Sequence, residues 1–382
     1  MDINHICFIV PNYPTRQEPV FTFVRQLVCA LADLGIKCSV IAPQSITKIL
    51  LQKRKKRPFF WQDISEENNK IDIYQPTYFS FSNIKIFGTS LSSIFFQQAV
   101  VSTFKKVKIK PDIIYAHFWH CGVIAGMIGD RYNLPVFVAT GESKIWVNNL
   151  YREKKIHRSL KNIKGVICVS SKNLQESIDL KLASKEKMKV IPNAIDSKKF
   201  YFIDKVKARK KLGFKEDDFI VAFTGSFNHR KGVLRLAEAV QKLEDVKSIY
   251  LGSGKLKPRG EGILFIGRVP HDQIVYYLNA ADVFVLPTLA EGCCNAIIEA
   301  MACGLPIISS NLPFNDDILD ENNSIRIDSN DINQIANAIQ YLKENPLVRE
   351  RMSKASLEKA KQYDIRNRAE KIIEFIRENG EF

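Results

Sequence analysis

The chain has 382 residues, 46% of them hydrophobic and 25% charged, a balance that excludes a disordered chain and suits two domains better than one core. Its net charge of +15 is unevenly laid: residues 1–200 hold 30 Lys+Arg against 15 Asp+Glu, and the remainder balances at 26 of each. A basic first half implies a polyanionic or membrane-surface partner, while eight scattered cysteines with no C-x-x-C pair argue against zinc and for buried free thiols in a reducing compartment.

In chain order, the start "MDINHICFIVPNYP" has no basic segment leading into a long apolar one, and no apolar run reaches a membrane-spanning length. The expectation is a cytoplasmic protein. Strands are predicted at "HICFIVP", "CSVIAP", "DIIYAHF", "PVFVAT" and "GVICVS", with a helix at "PVFTFVRQLVCALADLGIK" closed by Gly35. Pro192 and Asn193 interrupt the pattern in residues 190–204, and there the domain boundary is expected. The rhythm restarts with strands at "DDFIVAFTG", "KSIYLGSG", "ILFIGRV", "DVFVLPT" and "PIISS". Helices are predicted at "VLRLAEAVQKLEDV", "HDQIVYYLNAA" and "NAIIEAMACG", and in the charged tail "ASLEKAKQYDIRNRAEKIIEFIRENG". Such alternation predicts two α/β domains with parallel sheets, whose ligands bind beyond the carboxyl ends of the strands.

The stretch "LAEGCCNAIIEAMACGLP" (289–306) carries two glutamates, Glu291 in a loop and Glu299 one turn into a helix with Asn295 as its expected N-cap and Gly304 as its stop. The free N–H groups near Asn295, Ala296 and Ile297 make an anion site between the carboxylates. Two readings stand: solvated glutamates flanking a helix start, or a clamp for a ligand ordered as sugar hydroxyls, diphosphate and ribose diol. Upstream, "FTGSFNHRKG" sets Arg230 and Lys231 at a strand end, where they either are a solvated turn or neutralise a departing diphosphate. "FNDDIL" (Asp316, Asp317) is read as a capping feature that begins a helix.

The order and spacing of "GSFNHRKG", "YLGSG", "FIGRVPHDQIVYYLNAADVFVLPT", "EGCCNAIIEAMACGLPIISS" and "NLPFNDDIL" resemble the family 4 glycosyltransferases of the GT-B fold. The first half resembles them more faintly, in "PNYPTRQEPVFTFVRQLVCALADLGIKCSVIAPQS", "PDIIYAHFWHCGVIAGMIG" and "IPNAID". The resemblance implies two Rossmann-like parallel-sheet domains facing across a cleft. Residues 1–200 would form the acceptor-side domain, with a C-terminal helix at about 363–382 packing back on it, and residues 201–362 the donor domain. It implies that Glu291 bonds the donor sugar, Glu299 the ribose hydroxyls, and backbone amides near Asn295, Ala296 and Ile297 the diphosphate. Lys231 and Arg230 would stabilise the leaving group, the Arg268–Val269 loop would cover the base, and Gly225 and Gly292 would lie against the donor. The implied activity is a retaining, metal-independent transfer from a nucleotide diphosphate sugar, without cofactor, to a saccharide or lipid-linked acceptor.

Three positions depart from the family pattern. Ser226 follows Gly225 where an arginine is usual, so Arg230 would supply the cation. "VATGES" puts Thr140 where the family has a sugar-contacting histidine; Glu142 is the candidate substitute, Thr140 is itself a candidate acceptor or sugar contact, and His117 and His120, at another strand end, either reach the cleft or are structural. Val20 or Phe21 stands where glycine is usual near the donor phosphates. The basic runs "KRKKRPFFW" (53–61), "FKKVKIK" (104–110) and "YREKKIHRSLKNIK" (151–164) suit an anionic membrane surface or are a solvated basic face. No nucleic-acid-binding module is recognisable. The expected function is therefore cell-surface polysaccharide or glycolipid synthesis at the inner membrane face. The alternatives are a non-catalytic nucleotide-sugar-binding or membrane scaffold protein and a nucleotide-sugar epimerase.

Overall fold

The computed structural model describes residues 3–15, 21–52, 55–81 and 84–380; Val20, Lys53 and Arg54 of the stretches above lie outside them. Internal contacts divide the chain into one unit of residues 1–191 with 365–382 and another of residues 192–364.

In the first unit, strands β1 (His5–Ile9), β2 (Lys37–Ile41), β4 (Phe60–Ile64), β5 (Lys70–Tyr74), β9 (Ile113–His117), β10 (Val136–Thr140), β11 (Gly165–Cys168) and β12 (Met188–Val190) form one sheet, in the order β12-β11-β10-β9-β1-β2-β5-β4. All pairs are parallel except β4 with β5. Short strands β3 (Gln44–Ser45) and β6 (Thr77–Tyr78) pair with each other, as do β7 (Lys85–Ile86) and β8 (Thr89–Ser90). The helices are α1 (Thr22–Asp33), α2 (Ile46–Leu51), α3 (Leu91–Val107), α4 (Trp119–Tyr132), α5 (Val147–Leu150), α6 (Glu153–Leu160) and α7 (Ser171–Asp179).

The near-continuous apolar run of β1 follows from burial on both faces. Ile6 and Phe8 point into a core with Leu27 and Leu31 of α1 and Ile372 and Ile376 of the C-terminal helix. Cys7 and Ile9 point into a second core with Trp119, Val123 and Ile124 of α4. Each such side chain contributes about 1.5–3 kcal/mol through burial. All eight cysteines are buried free thiols.

The second unit carries β13 (Phe219–Thr224), β14 (Val246–Leu251), β15 (Ile263–Gly267), β16 (Val283–Leu286), β17 (Ile307–Ser310) and β18 (Ser324–Ile327), all parallel, in the order β15-β14-β13-β16-β17-β18. Its helices are α8 (Lys205–Leu212), α9 (Val233–Gln241), α10 (Ile274–Ala280), α11 (Asn295–Ala302), α12 (Ile332–Glu344) and α13 (Pro346–Ala360). The charged tail is not one helix: a turn at 361–364 separates α13 from α14 (Ile365–Asn379), which belongs to the first unit.

At the start of β13 a buried pair fixes the sheet. Asp282 accepts from Arg209 Nη2 (2.8 Å) and from the Ile220 N–H (2.8 Å), with Lys205 at 2.5 Å. Such a pair is costly to break from one side, because it strands the other charge. The antiparallel β4 was not expected from the sequence, where "RPFFW" reads as part of a basic aromatic patch; Phe60 and Trp61 instead pair with Tyr74 and Ile73. "FNDDIL" does not begin a helix: a 3-10 turn at Pro313–Asn315 ends there, and Asp316 pairs with Arg326 at 2.8 Å.

Candidate active site

The strand order of the second unit, read in sequence terms, is 3-2-1-4-5-6, and it reverses direction between β13 and β16. The carboxyl ends of those two strands therefore diverge, and a ligand fits in the crevice they leave. The two loops that leave these ends, 225–232 and 287–294, are bonded to each other. Leu289 N–H donates to the Arg230 carbonyl (2.8 Å), and Arg235 donates to the carbonyls of Pro287 (2.8 Å), His229 (3.0 Å) and Ser329 (2.6 Å). Gly232 has φ 76°, and a Cβ there would lie 2.3 Å from the Pro287 carbonyl oxygen, so the closeness of the loops requires glycine. Gly225 N–H bonds the Leu251 carbonyl at 2.9 Å, and a Cβ on Gly252 would sit 1.8 Å from the Gly225 oxygen.

These loops gather Glu291, Arg230 and Lys231. The Glu291 Oε1 accepts from Arg230 Nη1 (2.5 Å), Lys231 Nζ (2.8 Å) and Thr288 Oγ1 (2.7 Å); Oε2 carries none of these bonds. Arg230 also donates to the Ala290 carbonyl. Thr288 is held in turn, its carbonyl accepting from Ser310 and Ser329. Glu291 and Lys231 are mostly buried, whereas the Arg230 side chain is 40% exposed. Burial opposes the charge on Lys231, but its neighbours, Cys294 and Glu291, outweigh it and raise the pKa. Glu291 and the Cys294 sulfur hold the cation against its burial and against the neighbouring Arg230.

The helix α11 begins beside that cation. Cys294, not Asn295, is its N-cap; Asn295 is the first helical residue, and its Oδ1 accepts from Asn193 Nδ2 at 2.9 Å. The Cys294 Sγ lies 3.8 Å from Lys231 Nζ, so the ammonium stands at the positive end of the helix dipole. Burial raises the Cys294 thiol pKa, while Lys231 and the N–H groups of Ile297 and Ala296 pull the other way. A cation and a helix N-terminus together favour an anion. Gly292 belongs to the loop that leads into this helix start.

Glu299 is buried one turn along α11. Its Oε1 lies 3.7 Å from Nε2 of His271, whose ring packs edge-on against Phe200 with centroids 5.2 Å apart. The Glu299 carboxylate raises the His271 pKa, against desolvation. Neither His271 nor Thr288 is marked as a site residue in the sequence: "VPHDQ" reads only as a helix start, and Thr288 as the end of a strand. Arg268, three residues before His271, is exposed and donates to Ser253 Oγ at 2.6 Å; Val269 beside it is half-buried.

In the first unit the reversal falls between β1 and β9. Glu142 caps α4: its carboxylate accepts from the N–H of Trp119 (2.8 Å), the Thr140 hydroxyl (2.7 Å) and the Gly141 N–H (2.9 Å). Desolvation nonetheless raises its pKa. His117 is buried among Phe23, Tyr115 and Phe118, and burial lowers its pKa to about 3. His120 packs on Phe96, has Cys121 Sγ 3.3 Å from its Nε2, and is lowered to about 4. Phe21 holds a left-handed backbone (φ 63°, ψ 40°) at the N-cap of α1, the conformation that glycine would adopt freely. Phe118 is more strained, at φ 71° and ψ 153°.

A doubly wound sheet with two cations, a helix N-terminus and two carboxylates around its reversal point has the charge pattern of a site for an anionic ligand. Comparison with known proteins agrees. Residues 20–199 match the family described as Glycosyltransferase Family 4, and residues 204–359 match Glycosyl transferases group 1. The chain belongs to the family 4 glycosyltransferases, enzymes of the GT-B fold. It is 29% identical over 320 residues, 80% of this chain and 81% of the other, to TuaC of Bacillus subtilis (strain 168), whose name provisionally assigns it as a teichuronic acid biosynthesis glycosyltransferase. It is 28% identical over 280 residues, 65% of this chain and 71% of the other, to an Escherichia coli UDP-Gal:alpha-D-GlcNAc-diphosphoundecaprenol alpha-1,3-galactosyltransferase. In fold it matches a sucrose-phosphate synthase from Thermosynechococcus elongatus (TM-score 0.76, 20% identity, 98% of each chain). It also matches Anabaena Alr3699/HepE in complex with UDP (TM-score 0.72, 17% identity, 98% of this chain and 100% of the other).

Proposed function

We propose that this glycosyltransferase is retaining and metal-independent, and moves a sugar from a nucleoside diphosphate sugar to a lipid-linked or saccharide acceptor in cell-surface polysaccharide or glycolipid synthesis. Residues 201–362 take the donor, and residues 1–200 with the helix at 363–382 take the acceptor. The observation that carries the reading is the convergence of Arg230 and Lys231 on Glu291 beside the start of α11. HepE, a fold relative, was solved with UDP, and the E. coli relative is named for a diphosphoundecaprenol-linked acceptor and a UDP-sugar donor; both support this choice of substrates.

In this reading the diphosphate lies against the N–H groups of Asn295, Ala296 and Ile297, with Lys231 and Arg230 beside it. Glu291 bonds the donor sugar, and Glu299 the ribose diol. Gly225 and Gly292 let the backbone approach, and Arg268 and Val269 flank the base. The sugar–phosphate bond breaks with its electron pair going to the nucleoside diphosphate. The acceptor oxygen forms its bond to the anomeric carbon on the face the leaving group vacates, and its proton passes to a donor phosphate oxygen. Catalysis is then the stabilisation of developing negative charge by groups already in place. Thr140, Glu142, His117 and His120 stand in the acceptor-side domain as its candidate acceptor or sugar contacts. The enzyme works at the cytoplasmic face of the membrane, its basic first half against anionic lipid.

A panel of UDP-, GDP- and ADP-sugars, incubated with membrane lipid extract with and without EDTA, tests this by release of nucleoside diphosphate. Release from one donor class, unchanged by EDTA, is expected. Release abolished by EDTA would refute the metal-free mechanism, and product of inverted anomeric configuration would refute retention.

A further inference from the structure

Residues 73–111 contain no Asp or Glu but five lysines. Their neighbourhood carries an unusual share of exposed apolar side chains: Leu50 and Leu51 of α2, Phe79, Phe81, Ile86, Phe87 and Phe95. No residue of α2 is buried, so this helix takes no part in the core.

The elements that bear these side chains are tied to one another. Ser45, the N-cap of α2, bonds Ser80 through their hydroxyls (2.6 Å), and the Ser80 N–H donates to Thr47 Oγ1 (3.1 Å). The Ser92 hydroxyl joins α3 to both backbone groups of Phe81 at 2.7 Å. The Leu91 N–H donates to the Ile84 carbonyl (2.9 Å), tying α3 to the β7–β8 hairpin. The Phe95 ring meets those of Phe81 and Phe79, with centroids 5.7 and 6.4 Å away.

The hairpin tip is Phe87-Gly88, both with positive φ (46° and 75°). Turns of that kind select Asn-Gly or Asp-Gly, and a bulky residue at the first position is strained. Phe87 nevertheless stands there 82% exposed, so no core contact explains the strain. Cations stand around the apolar side chains. Arg152 lies 5.8 Å from the Phe87 ring and Lys106 5.3 Å from the Phe59 ring. Lys55, Lys56 and Lys105 are exposed.

We propose that this surface is a wedge that enters an anionic bilayer, with Phe87, Leu50 and Leu51 reaching the acyl chains and the surrounding lysines and Arg152 meeting lipid phosphates. The inference rests on the membrane reading above and adds hydrocarbon insertion to it. The charge decides the occupant: a purely apolar protein partner would not call for a cationic surround free of acidic residues over 73–111, whereas anionic lipid does.

The test uses the full chain with phosphatidylcholine vesicles containing or lacking 30% phosphatidylglycerol. F87W, read as a fluorescence difference against wild type, should be quenched by lipids brominated on the acyl chain. L50S/L51S/F87S should weaken binding to anionic vesicles at least about tenfold, given the apolar area lost; these side chains are exposed, and an unchanged unfolding temperature verifies the fold. If the triple variant binds like wild type while K55Q/K56Q/K105Q/K106Q does not, the electrostatic membrane reading stands and the wedge is overturned. If wild type binds neither vesicle, the membrane reading itself falls, and the wedge with it. A wild-type dimer in sedimentation equilibrium that the triple variant abolishes would overturn the wedge in favour of self-association.

Discussion

Replacing Lys231 with Met removes the most buried cation of the site while keeping most of its volume. Its ammonium lies 2.8 Å from Glu291 Oε1 and 3.8 Å from Cys294 Sγ, at the start of α11. A full charge about 4 Å from a developing phosphate charge is worth roughly 4 kcal/mol at an effective dielectric of about 20. Removing one such preorganised group commonly costs about 10²–10³ in kcat. Arg230 remains but is 40% exposed and solvent-screened, so it compensates little. The fold should survive, because Glu291 keeps its bonds from Arg230 and Thr288; we expect a loss of about 1–2 kcal/mol in stability. Lys231 has a raised pKa, so its contribution is complete below its ordinary value near 10.4 and is lost only as pH rises beyond the raised one. Titration of Lys231 therefore adds no pH dependence between pH 6 and 9. The assay is steady-state release of nucleoside diphosphate at saturating donor and acceptor, with K231R as the conservative comparison. A K231M enzyme within threefold of wild-type kcat would refute the leaving-group role.

His271 should titrate above its ordinary value because of Glu299, and its proton NMR titration should move down in E299Q; an unmoved midpoint would dissociate the two. That ion pair contributes stability present below about pH 6.5 and lost as pH rises through the raised pKa. His117 behaves oppositely. With a folded value of about 3, the stability that its neutral form supplies is present above pH 6.5 and is lost as pH falls, by about 1.4 kcal/mol per unit. In urea unfolding, H117F should lose about 2 kcal/mol less than wild type between pH 7 and 5, and an equal loss would clear His117. The double variant C293A/C294A should keep most activity, since helix capping at Cys294 uses no side-chain bond; a loss above about tenfold would give the thiols a role of their own.

The strands that line the candidate site were legible because parallel strands buried on both faces leave continuous apolar runs, as in "FIVAFT" and "VFVL". Glu291, Arg230 and Lys231 could be named from their place after such strands, but their convergence on one oxygen could not. It depends on β13 and β16 lying side by side, a pairing between residues about sixty apart that no local pattern encodes. The same holds for the N-cap. Asn295 has the better capping chemistry, yet Cys294 caps the helix, and the Asn295 side chain accepts a bond from Asn193, about a hundred residues away. Glu142 is marked in the sequence by its place after a strand, and its bonds to Thr140 and Gly141 are local, but its bond to the Trp119 N–H comes from the helix that follows the neighbouring strand, which no local pattern encodes. The hairpin tip at Phe87 was illegible for a different reason, since its residue contradicts the local turn rule.

Glu299, the start of α11 and Lys231 are the groups proposed to hold a nucleoside diphosphate together. Calorimetric titration of the wild-type protein with UDP, GDP and ADP in EDTA tests this shared role most directly. One of the three should bind, and E299A and K231M should each weaken that binding at least about tenfold with unchanged unfolding temperatures. Failure of all three to bind, or equal affinity in E299A and K231M, would contradict it.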